Sequence, residues 1–330
     1  MASLPDLRVD SVRQVYNDGN HNAFTDLCRF KECFYLTFRS CPDGHSVYNT
    51  ARIIVLSSED TREWTQVTTF NVPHRDTRDP HFLIFKDRLF VYSGTWLAPH
   101  EGAPRSPNDH LGYGAWSEDG KNWEGPRLLE GTYGHYVWRA AASGDRAYLC
   151  GRRRNAFISG VPDESDRTWL QGAMLESDDG LVWSYCALFT ESQGNETAFL
   201  FEDDGAVLAL ARGDDVVPAR ICRSKPPYDD WTRTELDRNV GGPLIARWGD
   251  HILVGGRNTL DPDRPITALY WLIDDALHPA AELPSGGDNS YPGFVSLNGT
   301  RGLLSFYSSH EGSGSGLAPS AIYLAELSLA

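Results

Sequence analysis

Short apolar runs bounded by Gly, Asn and Asp recur along the whole chain, and no segment shows the apolar spacing of an amphipathic helix. Such runs predict strands, and they fall into pairs. The first member of each pair is Asn22–Cys28, Pro80–Phe85, Val137–Ala142, Thr197–Phe201, Pro243–Ala246 or Gly293–Leu297. Turns such as Lys86-Asp87-Arg88, Gly144-Asp145-Arg146 and Asp203-Asp204-Gly205 follow. The second members are Cys33–Phe38, Leu89–Ser93, Ala147–Gly151, Val207–Ala211, His251–Gly255 and Leu303–Tyr307. Six pairs of this kind phase the chain into six four-stranded units. The sixth has a third strand at Ala321–Leu327 and no fourth, while Val9–Val15 lacks a partner of its own. Joining the two removes exposed sheet edges and closes a ring. The expectation is an all-β, six-bladed β-propeller, one domain over residues 1–330, with the N-terminal strand paired to the C-terminal blade.

A repeated turn supports the phasing. Ser117-Glu118-Asp119-Gly120-Lys121-Asn122-Trp123 and Ser177-Asp178-Asp179-Gly180-Leu181-Val182-Trp183 share the pattern Ser-x-Asp-Gly-x-x-Trp. Degenerate copies start at Ser58 and Ser224, so the motif returns every roughly 50–60 residues, the period of a propeller blade. The Asp-Gly step supplies the turn and the Trp opens the next strand. Asp60, Asp119 and Asp179 are therefore expected to cap local amides, and Trp64, Trp123 and Trp183 to be largely buried.

Composition changes this picture only by exclusion. The 330 residues are 41% hydrophobic and 12% aromatic, enough for a large core. A net charge of −15 argues against nucleic acid or an anionic membrane as partner. The first residues lack a basic stretch followed by an apolar one, and no run is long enough to span a bilayer, which predicts a cytoplasmic protein. The six cysteines show no metal-ligand spacing and read as free thiols.

In a propeller the start of each inner strand and the end of its neighbour meet at one mouth of the central channel. The polar residues there are His21, Asn22 and Arg39 in blade one, Arg78 and Asp79 in blade two, and His135, Arg139 and Arg152 in blade three. Blade four supplies Asn195, Glu196 and Arg212; blade five, Arg257; blade six, Ser290, Tyr291, His310 and Glu311. Arginines, carboxylates, histidines and a tyrosine gathered at one mouth are the makings of a site for an acidic or polyhydroxylated ligand. The histidine spacing matches no metal-ligand pattern, and neither a metal nor another cofactor is expected.

The Asp-box (BNR) repeats, the six blades and two local motifs resemble the sialidase superfamily of glycoside hydrolases. The stretch Asn195-Glu196-Thr197 through Ala211-Arg212 is similar to the sialidase hairpin opened by a Glu and closed by an Arg. Ser290-Tyr291-Pro292-Gly293-Phe294-Val295 resembles the last-blade strand carrying the nucleophilic tyrosine. The resemblance implies Tyr291 as nucleophile, Glu196 as its base, and Arg212 with Arg257 as substrate clamps. Two departures stand out. The family's Arg-Ile-Pro motif is replaced by His21-Asn22-Ala23-Phe24, and the loop expected to carry the acid/base Asp reads Ser40-Cys41-Pro42-Asp43-Gly44-His45-Ser46, offering Asp43 or His45. Arg39, Arg78, Asp79, Arg139, His21 and His310 complete the candidate substrate contacts. The expected function is an exo-glycoside hydrolase acting on a glycan or small, acidic sugar. The alternatives are a polysaccharide lyase, with a Tyr or His abstracting a proton beside a uronate carboxylate, and a non-catalytic glycan-binding propeller.

Overall fold

A computed structural model describes residues 4–155, 168–213, 217–261, 263–311 and 319–330. They form six four-stranded antiparallel sheets in a ring, a six-bladed β-propeller, with one short 3-10 turn at Pro107–Asp109 and no α-helix among the described residues. The inner strands are His21–Phe30, Arg75–Phe85, His135–Ser143, Gly194–Phe201, Gly241–Trp248 and Asn289–Ser296. Each packs beside the next, and the first meets the last. Closure follows the expected route: Leu7–Tyr16 pairs antiparallel with Ala321–Leu329, with Val9 opposite Leu327 and Val12 opposite Ala325. Leu7 is buried there, and the Trp271 indole donates to the Pro5 carbonyl at 3.1 Å.

The core lies between blades. Phe90, Tyr92 and Trp116 of blade two, for example, pack with Val137, Leu149 and Trp183 of blade three. The repeated turns stitch these faces together. Asp60, Asp119 and Asp179 each accept two backbone N–H bonds through Oδ1, at 2.7–3.0 Å. Gly120 (φ +76°) lies against the Tyr35 hydroxyl of the preceding blade, and Gly180 (φ +80°) against Tyr92. A Cβ at Gly120 would fall 1.8 Å from that hydroxyl, so the second glycine role of the motif is close approach as well as turning. Of the tryptophans expected to be largely buried, Trp183 is buried, and Trp64 and Trp123 are partly buried and packed against core clusters. Their indole N–H groups donate to the Thr61 and Gly120 carbonyls, so each ring also covers its own turn.

One irregularity positions the site. Every inner strand carries a two-against-one bulge at the same level: residues 24–25, 79–80, 138–139, 195–196, 242–243 and 291–292 each interrupt the register. A bulge bends the strand and re-aims the side chain it carries. Phe24, Asp79, Gly242 and Tyr291 take positive φ there (62°, 51°, 58° and 51°). Three bulges hold proline as their second residue (Pro80, Pro243 and Pro292), where the missing N–H costs no ladder bond.

Candidate active site

The blade-six bulge aims Tyr291 across the axis at blade four. Its hydroxyl donates to Glu196 Oε1 at 2.6 Å. Glu196 Oε2 accepts Arg212 Nη1 at 2.7 Å, and that same nitrogen lies 3.4 Å from the Tyr291 oxygen. Tyr291 and Glu196 are each 6% exposed. Burial first, and then the neighbouring Glu196 charge, hold the phenol well above its usual range. Burial pushes Glu196 the other way from its net result: the Arg212 charge and the Tyr291 hydrogen bond outweigh it and leave the carboxyl below the ordinary value. The resting pair is thus a neutral phenol donating to a carboxylate. The ring sits between Phe24 and Trp138, with centroids 4.8 and 6.2 Å away, and a Cβ on Gly242 would lie 2.4 Å from Tyr291 Cδ2. Only glycine leaves room for the tyrosine in this place.

A second cluster adjoins the first on the blade-one side. Asp288, just before the blade-six inner strand, receives His45 Nδ1 at 2.5 Å and His21 Nε2 at 2.8 Å on Oδ2. Its Oδ1 accepts Arg257 Nη2 at 3.0 Å and the Tyr307 hydroxyl at 2.8 Å. Burial would raise the Asp288 carboxyl, but the hydrogen bonds from His21 and His45, and then the His45 and Arg257 charges, win, and it stays well below the usual range. Burial lowers His21 against the pull of Asp288, so this imidazole is neutral. Arg257 spans the two clusters, its guanidinium carbon 5.9 Å from the Tyr291 ring centroid.

The other expected contacts divide. Asp79 lies beside the mouth, bonded by the Tyr136 hydroxyl, and burial with the Glu196 charge raises its carboxyl against the opposing Arg78. Arg39 has no exposed surface; it binds Asp76 at 3.1 Å and the Gly44 and Ser46 carbonyls at 3.0 and 2.9 Å. Arg78 pairs with Asp76 at 2.9 Å and donates to the His45 and Ser46 carbonyls. Both arginines therefore hold the loop that carries His45. Arg139 lies across the channel, bonded to Asp26, Pro243 and Pro292. Asp43 accepts Thr50 and borders a separate recess with His100 and Glu101. His310 contacts Ser308 and Tyr323, outside both clusters.

Sequence reasoning missed Asp288, Asp76, Tyr307, Trp138 and Phe24. The sequence pattern opens these two inner strands too late: blade two begins at Arg75 rather than Pro80, so Asp76 falls inside the strand, and blade six begins at Asn289 rather than Gly293, just after Asp288. Pro80 and Pro243 look like strand openings, whereas they mark bulges.

No family model and no curated protein sequence matches the chain. Among solved structures it is similar to a protein of unknown function from Dyadobacter fermentans, at 21% identity and a TM-score of 0.76, covering 99% of this chain and 100% of that one. The Hadza microbial sialidase Hz136 follows at 12% identity and 0.69, covering 94% of this chain and 66% of its own. The Trypanosoma rangeli sialidase in complex with the inhibitor DANA matches at 11% and 0.67, over 96% of this chain and 58% of its own. At these identities the likeness is one of fold.

Proposed function

We propose that this chain is a sialidase-like exo-glycoside hydrolase with Tyr291 as nucleophile. The observation that carries the reading is the 2.6 Å bond from the Tyr291 hydroxyl to Glu196, whose second oxygen is held by Arg212. A neutral phenol is a poor nucleophile, and an ionised carboxylate at hydrogen-bond distance takes its proton as attack proceeds. Phenol also suits an anionic sugar, because it approaches without a second negative charge. Arg212, and Arg257 on the other flank, offer cationic donors to acidic or hydroxyl groups. Arg139 ties blades one, three, five and six together across the ring. Of the two loop candidates for the proton donor, His45 stands in the cluster and Asp43 does not. With His21 where an arginine of the sialidase clamp is expected, simple sialosides should turn over weakly or not at all.

The test is a screen of 4-methylumbelliferyl glycosides of ulosonic acids, uronic acids and neutral sugars. Tyr291→Phe keeps the ring and should lower kcat on any substrate found by about three orders of magnitude or more, with binding largely retained. Undiminished turnover by that variant sinks the reading. An ultraviolet-absorbing unsaturated product from a uronate glycan would establish the lyase reaction instead.

A further inference from the structure

Two imidazoles meet one carboxylate oxygen, Asp288 Oδ2, and both must donate to it. For His21 the tautomer is fixed from the other side. Arg39 Nη1 faces His21 Nδ1 at 3.5 Å, and a guanidinium can only donate, so Nδ1 keeps its lone pair and the proton sits on Nε2. His45 donates through Nδ1, which leaves Nε2 as its proton-transfer atom. The His45 side chain is 39% exposed, whereas that of His21 is 1% exposed. One imidazole thus faces the mouth and the other backs the carboxylate. The same three residues have ligand atoms within 4.8 Å of one another, close enough for a divalent cation. A metal on His21 Nε2 would, however, place an N–H on Nδ1 against the Arg39 donor, and Arg257 already occupies the shared carboxylate.

We propose that His45 and Asp288 form an imidazole–carboxylate pair in which His45 Nε2 gives and takes the glycosidic proton, Asp288 being its positioning residue. The proposal rests on the hydrolase reading. In the first step the Tyr291 oxygen bonds to the anomeric carbon and its proton passes to Glu196. The bond to the leaving oxygen breaks, and that oxygen takes the Nε2 proton of the His45 imidazolium. In the second step Nε2 removes a proton from water, whose oxygen bonds to the anomeric carbon. As that bond forms the tyrosyl bond breaks, and Tyr291 regains its proton from Glu196. The titratable and charged groups around His45 are Asp288 from blade six and the neutral His21 from blade one, with Arg78 of blade two on the His45 carbonyl, Arg39 on the neighbouring Gly44 and Ser46 carbonyls, and Arg257 acting through Asp288.

The experiment has two arms. Nitrogen-15 NMR of ring-labelled histidine in the full chain reads the His45 tautomer directly. The expected result is a neutral form protonated on Nδ1, reverting toward the Nε2-protonated form in Asp288→Ala. Protonation on Nε2 in the wild type, a tautomer unmoved by Asp288→Ala, or Zn²⁺ shifting both His21 and His45 nitrogens would overturn the pair. The second arm compares aryl glycosides of the sugar turned over by the wild type. His45→Ala should lose about 100-fold or more with the poorer leaving group, 4-methylumbelliferone, and less than about tenfold with 2,4-dinitrophenol. Asp288→Ala should show the same leaving-group bias, smaller than that of His45→Ala. Equal losses on both leaving groups overturn the proton-transfer role while leaving Tyr291 as nucleophile. Absence of turnover on every glycoside overturns the hydrolase reading itself, and the NMR arm still decides whether the pair exists.

Discussion

Gly242 shows how much a single residue decides. Its φ of +58° suits glycine, and the space a Cβ would fill belongs to the Tyr291 ring. Gly242→Ala should cost about 1–2 kcal/mol for the left-handed backbone alone and more for the clash. Because Phe24 and Trp138 block the ring's retreat, the hydroxyl should leave Glu196, and activity should fall further than stability. A variant as stable and active as the wild type in denaturation and turnover assays would refute the packing argument. Asp79 carries a pH signature. Its folded-state pKa is raised by burial and by Glu196, so the folded protein holds this proton more tightly than the unfolded chain. The ionised form is the disfavoured one, and the penalty enters as pH rises from the ordinary carboxylate range near about 4 toward neutrality. Asp79→Asn, which still accepts from Tyr136, should therefore be more stable than wild type at neutral pH and equal to it in acid; melting curves across that window settle the point. Tyr291 and Glu196 were legible as residues, since each sits where a distinctive local motif puts it. Asp288 was not, because nothing in Gly286-Gly287-Asp288-Asn289 sets it apart from an ordinary turn.

At the scale of elements, the repeated turn and the bulge do opposite work. In the turn, Asp119 Oδ1 binds the N–H groups of Lys121 and Asn122, and these bonds hold the carboxyl below its usual range. A depressed pKa means stability that is present above the unfolded value and lost as pH falls through the folded one. Asp119→Ala should lower the melting temperature at neutral pH and leave any turnover intact, and the gap from wild type should close in acid. Loss of turnover in a folded Asp119→Ala protein would contradict a purely structural turn. The bulges instead serve the mouth. They were illegible as such because Asp79-Pro80, Gly242-Pro243 and Tyr291-Pro292 look like strand openings when strands are read as uninterrupted ladders. Proline inside an inner strand is tolerated here only because the bulge removes the ladder bond it would have broken.

The whole molecule depends on closure between its two ends. Leu7–Tyr16 covers the edge of Ala321–Leu329, and Leu7 is buried in the cluster that includes Trp248 and Trp271. A chain lacking residues 1–16 should unfold at lower denaturant and recover when a peptide of residues 4–16 is added in trans; equal stability without the strand would mean the ring does not need it. The number of blades and the manner of closure were readable along the chain, because strand pairs are local signals that repeat six times and the turn motif recurs at four of the blades. So was the presence of arginines, carboxylates and a tyrosine at one mouth, since strand order alone fixes which ends face it. The partnerships were not readable. Tyr291 and Glu196 stand 95 residues apart, and His45 and Asp288 stand 243 apart. Which arginine faces the mouth, which holds a loop and which ties blades together depends on contacts between blades. Periodicity within a blade carries no information about how its side chains meet those of another. That was decided only when the ring closed and six bulges turned their side chains toward a common axis.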